Sequence, residues 1–131
     1  MTKLEANTKQ LTKVVSRLKE VLEQPKDEIV RDSAIKRFEL AMDVAWKTLK
    51  TYLEERDGIV VHSPTNTIKE AYKQGYIEYD NKWLEFVKMR NETAHIYKED
   101  MSEEVYSKLP DVLTHLQALL AGLEKNGESA D

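Results

Sequence analysis

The sequence predicts an all-α protein, built as an up-and-down four-helix bundle with one additional short helix. Composition is the first observation, since the 131 residues are 40% hydrophobic and 34% charged and include only four glycines and three prolines. That balance is typical of a helical domain, because glycine and proline interrupt helices. The second observation is spacing, since apolar residues recur at three- and four-residue steps along most of the chain. Each such stripe predicts one face of a helix that packs on a shared core.

The first two predicted helices run from Leu4 to about Glu23 and from Glu28 to about Glu55. A proline ends the first helix, and Asp27 supplies the N-cap of the second. At roughly 1.5 Å per residue the second helix spans about 40 Å, so we expect it to form the backbone of the bundle. Its Asp43 and Lys47 are predicted to pair across one helical turn on the outer, solvated side.

A short third helix is predicted between Ser63, an N-cap followed by proline, and Gly75. Residues 59–61 are apolar but too few and too isolated for a sheet, so we expect an extended connection there. A fourth helix follows its N-cap Asp80 and carries the stretch Trp83–Tyr97.

The last predicted helix runs from Ser102 to about Leu123 on a stripe of leucines. Pro110 is expected to bend or restart this helix, because proline removes one of its hydrogen bonds. The polar residues 124–131 are expected to fray. The whole chain, 1–131, is therefore predicted to be one domain with a single core, as its length also indicates.

Composition excludes several kinds of protein. The chain lacks cysteine, which rules out disulfides, thiol nucleophiles and zinc sites built on cysteine. No apolar run approaches the ~20 residues of a membrane span, and the N-terminus lacks the apolar segment of a signal peptide, so we expect a cytoplasmic protein without membrane contact. The net charge of −4 argues against broad coating of nucleic acid, but it leaves RNA possible as the ligand of a local groove.

The stretch Trp83–Tyr97 is the part of the chain that most suggests a function. Its apolar residues follow helical spacing and predict a buried face: Trp83, Phe86, Val87, Ala94 and Tyr97. Arg90 falls on that same face, and an unpaired buried charge costs several kcal/mol, roughly, so Arg90 is expected to have a partner or a role. His95 lies ~140° round an ideal helix from Arg90, so the two meet only through the length of the arginine, a fraying helix end or a second subunit. Asn91 and His95, in contrast, share a face.

The remaining histidines are expected to be structural. His62 lies beside the Ser63 cap, and His115 lies at the edge of the leucine stripe of the last helix. Glu92 and His95 match half of the Glu-x-x-His pattern of di-iron bundles, which needs a second copy that this chain lacks. We therefore expect no metal site and no cofactor.

The segment Arg90–Tyr97, RNETAHIY, resembles the R-x4-H-x-Y motif of HEPN-type proteins, in which asparagine typically follows the arginine. Its context is similar to one branch of that superfamily, the nucleotidyltransferase substrate-binding proteins that are relatives of the HepT toxins. The matching residues are Ile35–Glu39, Trp46-Lys47 with Tyr52-Leu53, Ser63-Pro64 with Ile68 and Ala71, and Trp83. The resemblance covers roughly Asp27 to Tyr97, and this context makes a short motif specific.

The resemblance implies a helical bundle that forms a homodimer with two R-x4-H motifs in a shared cleft, and a minimal nucleotidyltransferase as its partner and antitoxin. In ribonucleases of this type the cleft cuts RNA without a metal. His95 would act as general base or acid, since imidazole titrates near neutral pH. Arg90 would stabilise charge on the scissile phosphate, and Asn91 would orient the phosphate or the histidine. Tyr97 is the position that the partner would modify with AMP to silence the nuclease.

Three charged residues of the second helix lie within the matched stretch and are candidates for substrate binding: Arg37, Glu39 and Lys47. The plainer interpretation of these charges is a solvated helix face.

Two alternatives to a ribonuclease stay open. In the first, the dimer groove holds a nucleotide or substrate for the nucleotidyltransferase, and Arg90, Asn91 and His95 bind phosphate without catalysis. In the second, Arg90 pairs with Glu39 or another buried acid, and His95 caps a helix end. The sequence does not decide among them, because binding and catalysis would use the same residues.

Overall fold

The computed structural model of the chain describes residues 1–96 and 98–129, with side chains through Lys125. Five α-helices and one 3₁₀ turn account for most of these residues, and no strand occurs among them. The elements are α1 (Lys3–Leu22), α2 (Glu28–Asp57), α3 (Pro64–Gln74), α4 (Asn81–Glu92), the 3₁₀ turn Thr93–His95 and α5 (Glu99–Ser129). The predicted all-α architecture is confirmed.

Polar caps fix the ends of the first two helices. Thr2 accepts a hydrogen bond from the backbone N–H of Glu5 at the start of α1. The carboxylate of Asp27 accepts one from the N–H of Val30, at 2.7 Å, and so begins α2 as predicted. Gly58 ends α2 with a φ of +67°, a left-handed conformation that disfavours any residue with a Cβ.

The third helix begins and ends at the predicted residues, and the fourth begins at its predicted cap. Ser63 caps α3, with a proline in its first turn, and Gly75 ends it with a φ of +80°. Asp80 caps α4 through the backbone N–H of Lys82. Residues 59–62 connect α2 to α3 without regular secondary structure, and the short apolar run forms no strand, as expected.

The core lies along α2, which contacts each of the other four α-helices. Only five residues connect α1 to α2, so these two contacting helices run in opposite directions, as an up-and-down bundle requires. Each fully buried Leu, Ile or Phe contributes roughly 1.5–3 kcal/mol by leaving water. The largest of them come from four helices: Leu11, Leu18, Phe38, Leu49, Leu53, Ile68, Leu109, Leu116, Leu119 and Leu123.

The motif stretch is shorter as an α-helix than its periodicity predicted. Trp83, Phe86 and Val87 are buried as expected, but α4 ends at Glu92 and Ala94 is exposed. The hydroxyl of Thr93 donates to the backbone carbonyl of Arg90 at 2.7 Å, which competes with continuation of the α-helical ladder.

The last helix is longer than predicted in both directions. It begins at Glu99 rather than Ser102, with two acids in its first turn, where the helix dipole favours them. It passes through Pro110 without restarting, and it continues through Ser129, so the predicted frayed tail is helical over residues 124–129. None of the helices in the described part of the chain combines the length and the apolar character needed to cross a bilayer.

Candidate functional site

The guanidinium of Arg90 forms a two-pronged hydrogen bond with the carboxylate of Asp43. Its Nε lies 3.0 Å from Oδ1 and its Nη2 lies 2.9 Å from Oδ2. The remaining nitrogen, Nη1, lies 3.1 Å from Oε2 of Glu39. Glu39 and Asp43 are one turn apart on α2, so both carboxylates face the same side of α4. The Arg90 cluster, which we define as Arg90, Asp43 and Glu39, therefore joins α4 to α2.

The Arg90 cluster is partly buried. The exposed fraction is 26% for the Arg90 side chain, 15% for Glu39 and 38% for Asp43. The hydrogen bond to Asp43 raises the pKa of Arg90 above its ordinary value, against the opposing effect of burial. One positive charge facing two carboxylates leaves the cluster with a net charge of −1.

His95 lies in the 3₁₀ turn and is exposed. Thr93, at the start of this turn, contacts Arg90 twice, because its hydroxyl lies 2.7 Å from the Arg90 carbonyl and 3.4 Å from Nη1. No side-chain hydrogen bond joins His95 to another described residue. The change from α-helix to 3₁₀ turn places the end of α4 between Arg90 and His95 in the chain.

A cleft of about 220 Å³ opens beside the Arg90 cluster, between α2 and α4. Its walls are mostly apolar, with a carboxylate, an amide and a guanidinium among them. The lining residues are Met42, Asp43, Trp46, Pro64, Val87, Arg90, Asn91 and Ala94. Asn91 lines the cleft, whereas His95 does not, although it follows Ala94 of the cleft wall in the chain.

The structure does not bring the other predicted binding residues into this cleft. Arg37 lies ~200° round α2 from Glu39, and it donates to the backbone carbonyl of Arg17 on α1 at 2.7 Å. Lys47 is exposed and lines no part of the cleft. Glu39 is occupied by Arg90 and, at 3.7 Å, by Lys36.

The predicted pairing of Asp43 with Lys47 on the outer side of α2 is wrong. The structure pairs Asp43 with Arg90 instead. The sequence does contain an indication of this pair. Glu39 and Asp43 are four residues apart, so they lie on one helix face, and two neighbouring acids indicate a cation opposite them.

A larger groove, of about 660 Å³, lies between the α3–α4 connection and α5, and it contains none of the predicted site residues. His115 lines it, and both ring nitrogens are engaged: Nδ1 lies 2.8 Å from the carbonyl of Asp111 and Nε2 lies 2.9 Å from the carboxylate of Asp80. The ring also packs edge-on against Trp83 and Phe86. The structural role predicted for His115 is confirmed.

Two predictions concern the modification of Tyr97 and the absence of a metal site. Tyr97, the predicted site of AMP modification, lies outside the described residues. Among those that are described, no three His, Asp or Glu side chains converge as metal ligands would.

Comparison of the sequence with known proteins shows the family to which this chain belongs. The sequence model of the family described as nucleotidyltransferase substrate binding protein like matches residues 4–125. Among curated proteins, the probable ribonuclease HepT of Haemophilus influenzae is 29% identical over 108 residues, which cover 76% of this chain and 74% of that protein.

Solved structures share the fold. A Thermus thermophilus protein is 30% identical with a TM-score of 0.79, over 86% of this chain and 98% of that one. A Haemophilus influenzae protein is 26% identical with a TM-score of 0.67, over 92% of this chain and 96% of its own. The second is described as revealing the fold of a substrate binding domain of a nucleotidyltransferase. Since the family match spans nearly the whole sequence, this chain belongs to the nucleotidyltransferase substrate binding protein-like family.

Proposed function

We propose that this chain is the toxin of a toxin–antitoxin pair, a metal-independent endoribonuclease that acts as a homodimer in the cytoplasm. Its partner and antitoxin would be a minimal nucleotidyltransferase. The family to which the chain belongs supports a nucleotidyltransferase partner, and similarity to a probable ribonuclease supports the activity. The arrangement of Arg90 and His95 supports the chemistry.

The observation that carries the proposal is the bidentate hydrogen bond from Arg90 to Asp43, because Arg90 lies five residues before an exposed histidine. A guanidinium held at two nitrogens cannot turn freely, so its remaining N–H groups are oriented before a substrate arrives. Asp43 occupies one N–H of Nη2, and the second is available to a phosphate oxygen. An exposed imidazole at His95 can exchange protons with a bound ribose.

The proposed reaction has two proton transfers. His95 of one subunit accepts the proton of the ribose 2′-hydroxyl, whose oxygen attacks the neighbouring phosphorus. The 5′-oxygen of the next nucleotide leaves and takes a proton from the second histidine of the dimer. Arg90 stabilises the charge on the phosphate oxygens, and Asn91 on the cleft wall orients them. The products are a 2′,3′-cyclic phosphate and a 5′-hydroxyl.

A second candidate function is a non-catalytic nucleotide- or substrate-binding subunit of the nucleotidyltransferase. The cleft favours it, because Trp46 offers an aromatic surface beside the polar groups of Arg90 and Asn91. A solved relative is also described as a substrate binding domain.

Cleavage of RNA by wild type and His95→Ala in the presence of EDTA separates the two functions. We expect the wild type to cut RNA and leave 2′,3′-cyclic phosphate ends, and His95→Ala to lose cleavage while keeping its melting temperature. His62→Ala is the matched control, since His62 is exposed and lies outside the cleft. Cleavage by His95→Ala at the wild-type rate would contradict the catalytic role. Failure of the wild type to cut, with nucleotide still bound, would favour the binding subunit.

The partner is tested separately. With ATP and an active cognate nucleotidyltransferase, we expect AMP mass to be added to Tyr97 and cleavage to stop. An unchanged mass would count against control by this modification and would leave the cleavage assay unaffected.

A further inference from the structure

Several cations of α1 and α2 have no acid to balance them. Residues 6–19 on α1 include four Lys or Arg and no Asp or Glu, and residues 44–53 on α2 include two lysines and no acid. Lys13, Arg17 and Lys47 are exposed, and none of the three forms an ion pair with another described residue. A chain with a net charge of −4 therefore keeps a local excess of positive charge on these two helices.

The cations of α1 lie on the side of this helix that points away from the core. Asn7 faces α2, because its side-chain amide donates to a threonine of α2 at 2.7 Å. Thr8 lies ~100° further round α1, on the core side, where its hydroxyl is 3.1 Å from that of buried Tyr52. Arg17 and Lys13 lie ~80° and ~120° from Asn7 in the opposite direction. Both are therefore on the outer side of the pair formed by α1 and α2.

Lys47 lies on the outer ridge of α2, between the side that faces α1 and the side that faces α4. Arg37 marks the first side, since it donates to the backbone carbonyl of Arg17 at 2.7 Å, and Asp43 marks the second, since it pairs with Arg90. Round the helix, Lys47 is ~80° from Arg37 and ~40° from Asp43, and it lies between them. We define the basic face as Lys13, Arg17, Arg37 and Lys47.

The basic face begins at the edge of the cleft. Lys47 follows Trp46 of the cleft wall in the chain, and it lies ~6 Å along α2 from Asp43 of the same wall. This rise is shorter than the Debye length, which is ~10 Å at about 0.1 M salt. The face then extends ~15 Å along α2 to the level of Arg37. Since the Arg90 cluster carries no excess of positive charge, the cations that attract a polyanion to the cleft lie on this face.

We propose that the basic face binds the phosphates of a single-stranded RNA whose neighbouring nucleotide occupies the cleft. The choice of RNA rests on the proposed function. A single strand is favoured over a duplex, because the cleft of about 220 Å³ has room for one base against Trp46 and not for a base-paired helix. A second copy of this chain is disfavoured as the occupant, since in a two-fold contact the basic face would meet its own copy and like charges would oppose each other.

Binding is measured by fluorescence anisotropy with a labelled 2′-O-methyl oligouridine, which lacks the 2′-hydroxyl nucleophile and is not cut. The test variant is Lys13→Gln/Arg17→Gln/Lys47→Gln, and Arg37 is kept because it bonds to the backbone of α1. Each phosphate contact of a single strand contributes about 0.7 to the slope of log K against log salt concentration. We therefore expect the slope to become shallower by about 2, and the affinity to fall about 100-fold at about 0.1 M salt.

The matched control is Lys69→Gln/Lys73→Gln/Lys108→Gln, which removes the same charge from exposed positions on α3 and α5 and should keep the wild-type slope. An unchanged slope in the folded test variant would overturn the inference, and so would failure of the wild type to bind the oligouridine. Displacement of the RNA by polyglutamate at equal charge would also overturn it, in favour of an acidic protein partner. A change of oligomer mass in the test variant would assign the face to a contact between copies instead.

Cleavage of unmodified RNA tests the proposed function separately. If the wild type cuts RNA, we expect the test variant to have a raised KM and little change in kcat, because the basic face binds the substrate and the transition state alike. A shallower salt slope in a protein that never cuts RNA would uphold the basic face and refute the ribonuclease. Cleavage by the wild type, with equal salt slopes for the wild type and the test variant, would refute the basic face and leave the ribonuclease standing.

Discussion

We predict that loss of the Arg90 guanidinium destabilises the fold, because this one cation pairs with both carboxylates of the Arg90 cluster. Arg90→Met keeps the aliphatic part of the side chain and removes the guanidinium. Glu39, which is only 15% exposed, then loses its partner on α4, and Asp43 loses both prongs of its fork. The variant leaves two like charges one helical turn apart with no cation between them, and Lys36 remains as a distant partner of Glu39 at 3.7 Å.

The size of the effect follows from burial. Removing one partner of a fully buried pair costs about 3–5 kcal/mol, whereas exposed pairs contribute about 0–1 kcal/mol. Arg90 is 26% exposed and its geometry is bidentate, so we place the loss between these limits, at about 2–3 kcal/mol. Neutralising the orphaned acids in Arg90→Met/Glu39→Gln/Asp43→Asn should recover about 1 kcal/mol or more.

Urea unfolding followed by circular dichroism measures these free energies of unfolding. Lys88→Met is the matched control, an exposed lysine two residues away on α4 that should change stability by less than about 0.5 kcal/mol. If Arg90→Met is as stable as this control, the Arg90 cluster is not a structural element. If the triple variant is less stable than Arg90→Met, the orphaned carboxylates are not the cause of the loss.

Two further predictions concern assembly and pH. The cleft beside Trp46 is largely apolar, so we expect light scattering to give a dimer mass at tens of micromolar, and a monomer mass would exclude a shared cleft. Burial alone would lower the pKa of His115, but the hydrogen bond to Asp80 and the Asp111 oxygens outweigh it and raise the pKa above 6.5. The stability that the protonated His115 adds to the fold is fully present below its pKa in the unfolded chain. It is lost as pH rises through the higher pKa of His115 in the folded protein. The stability of the wild type relative to His115→Gln should therefore fall as pH is raised from about 6 to about 9, and a constant difference would refute the charged hydrogen bond.

The elements were predictable from the sequence where local chemistry decides them. Asp27, Ser63 and Asp80 cap helices as expected, because a short side-chain oxygen beside an apolar stripe satisfies free backbone N–H groups wherever it occurs. Gly58 and Gly75 end helices for an equally local reason. The spacing of apolar residues predicted most of the core, but Ala94 fits the same spacing and is exposed.

The candidate site was only partly predictable, because it depends on how one helix is rotated against another. The position of Arg90 on an apolar face predicted that it has a partner, and Glu39 was proposed as that partner. Asp43 was missed, since a single sequence does not show which side of α2 faces α4. Pro110 was expected to interrupt α5, yet the long buried leucine face on either side keeps the helix continuous.

The local charge of the Arg90 cluster bears on whether the proposed cleavage of RNA needs a dimer. Within one subunit the charge of Arg90 is already matched by Asp43 on the cleft wall and by Glu39 outside it, so an incoming phosphate meets no excess of positive charge and one further N–H of Nη2. A phosphate there would be repelled by Asp43 and Glu39 at short range unless a further donor or cation approached from outside the subunit. A second copy would bring its own Asn91 and His95 as further hydrogen-bond donors, but its Arg90 would come with the same two carboxylates, so the proposed symmetry adds donors and no net positive charge. The catalytic proposal therefore needs the dimer for its second histidine and for added hydrogen-bond donors, whereas binding of an uncharged base or sugar against Trp46 would not.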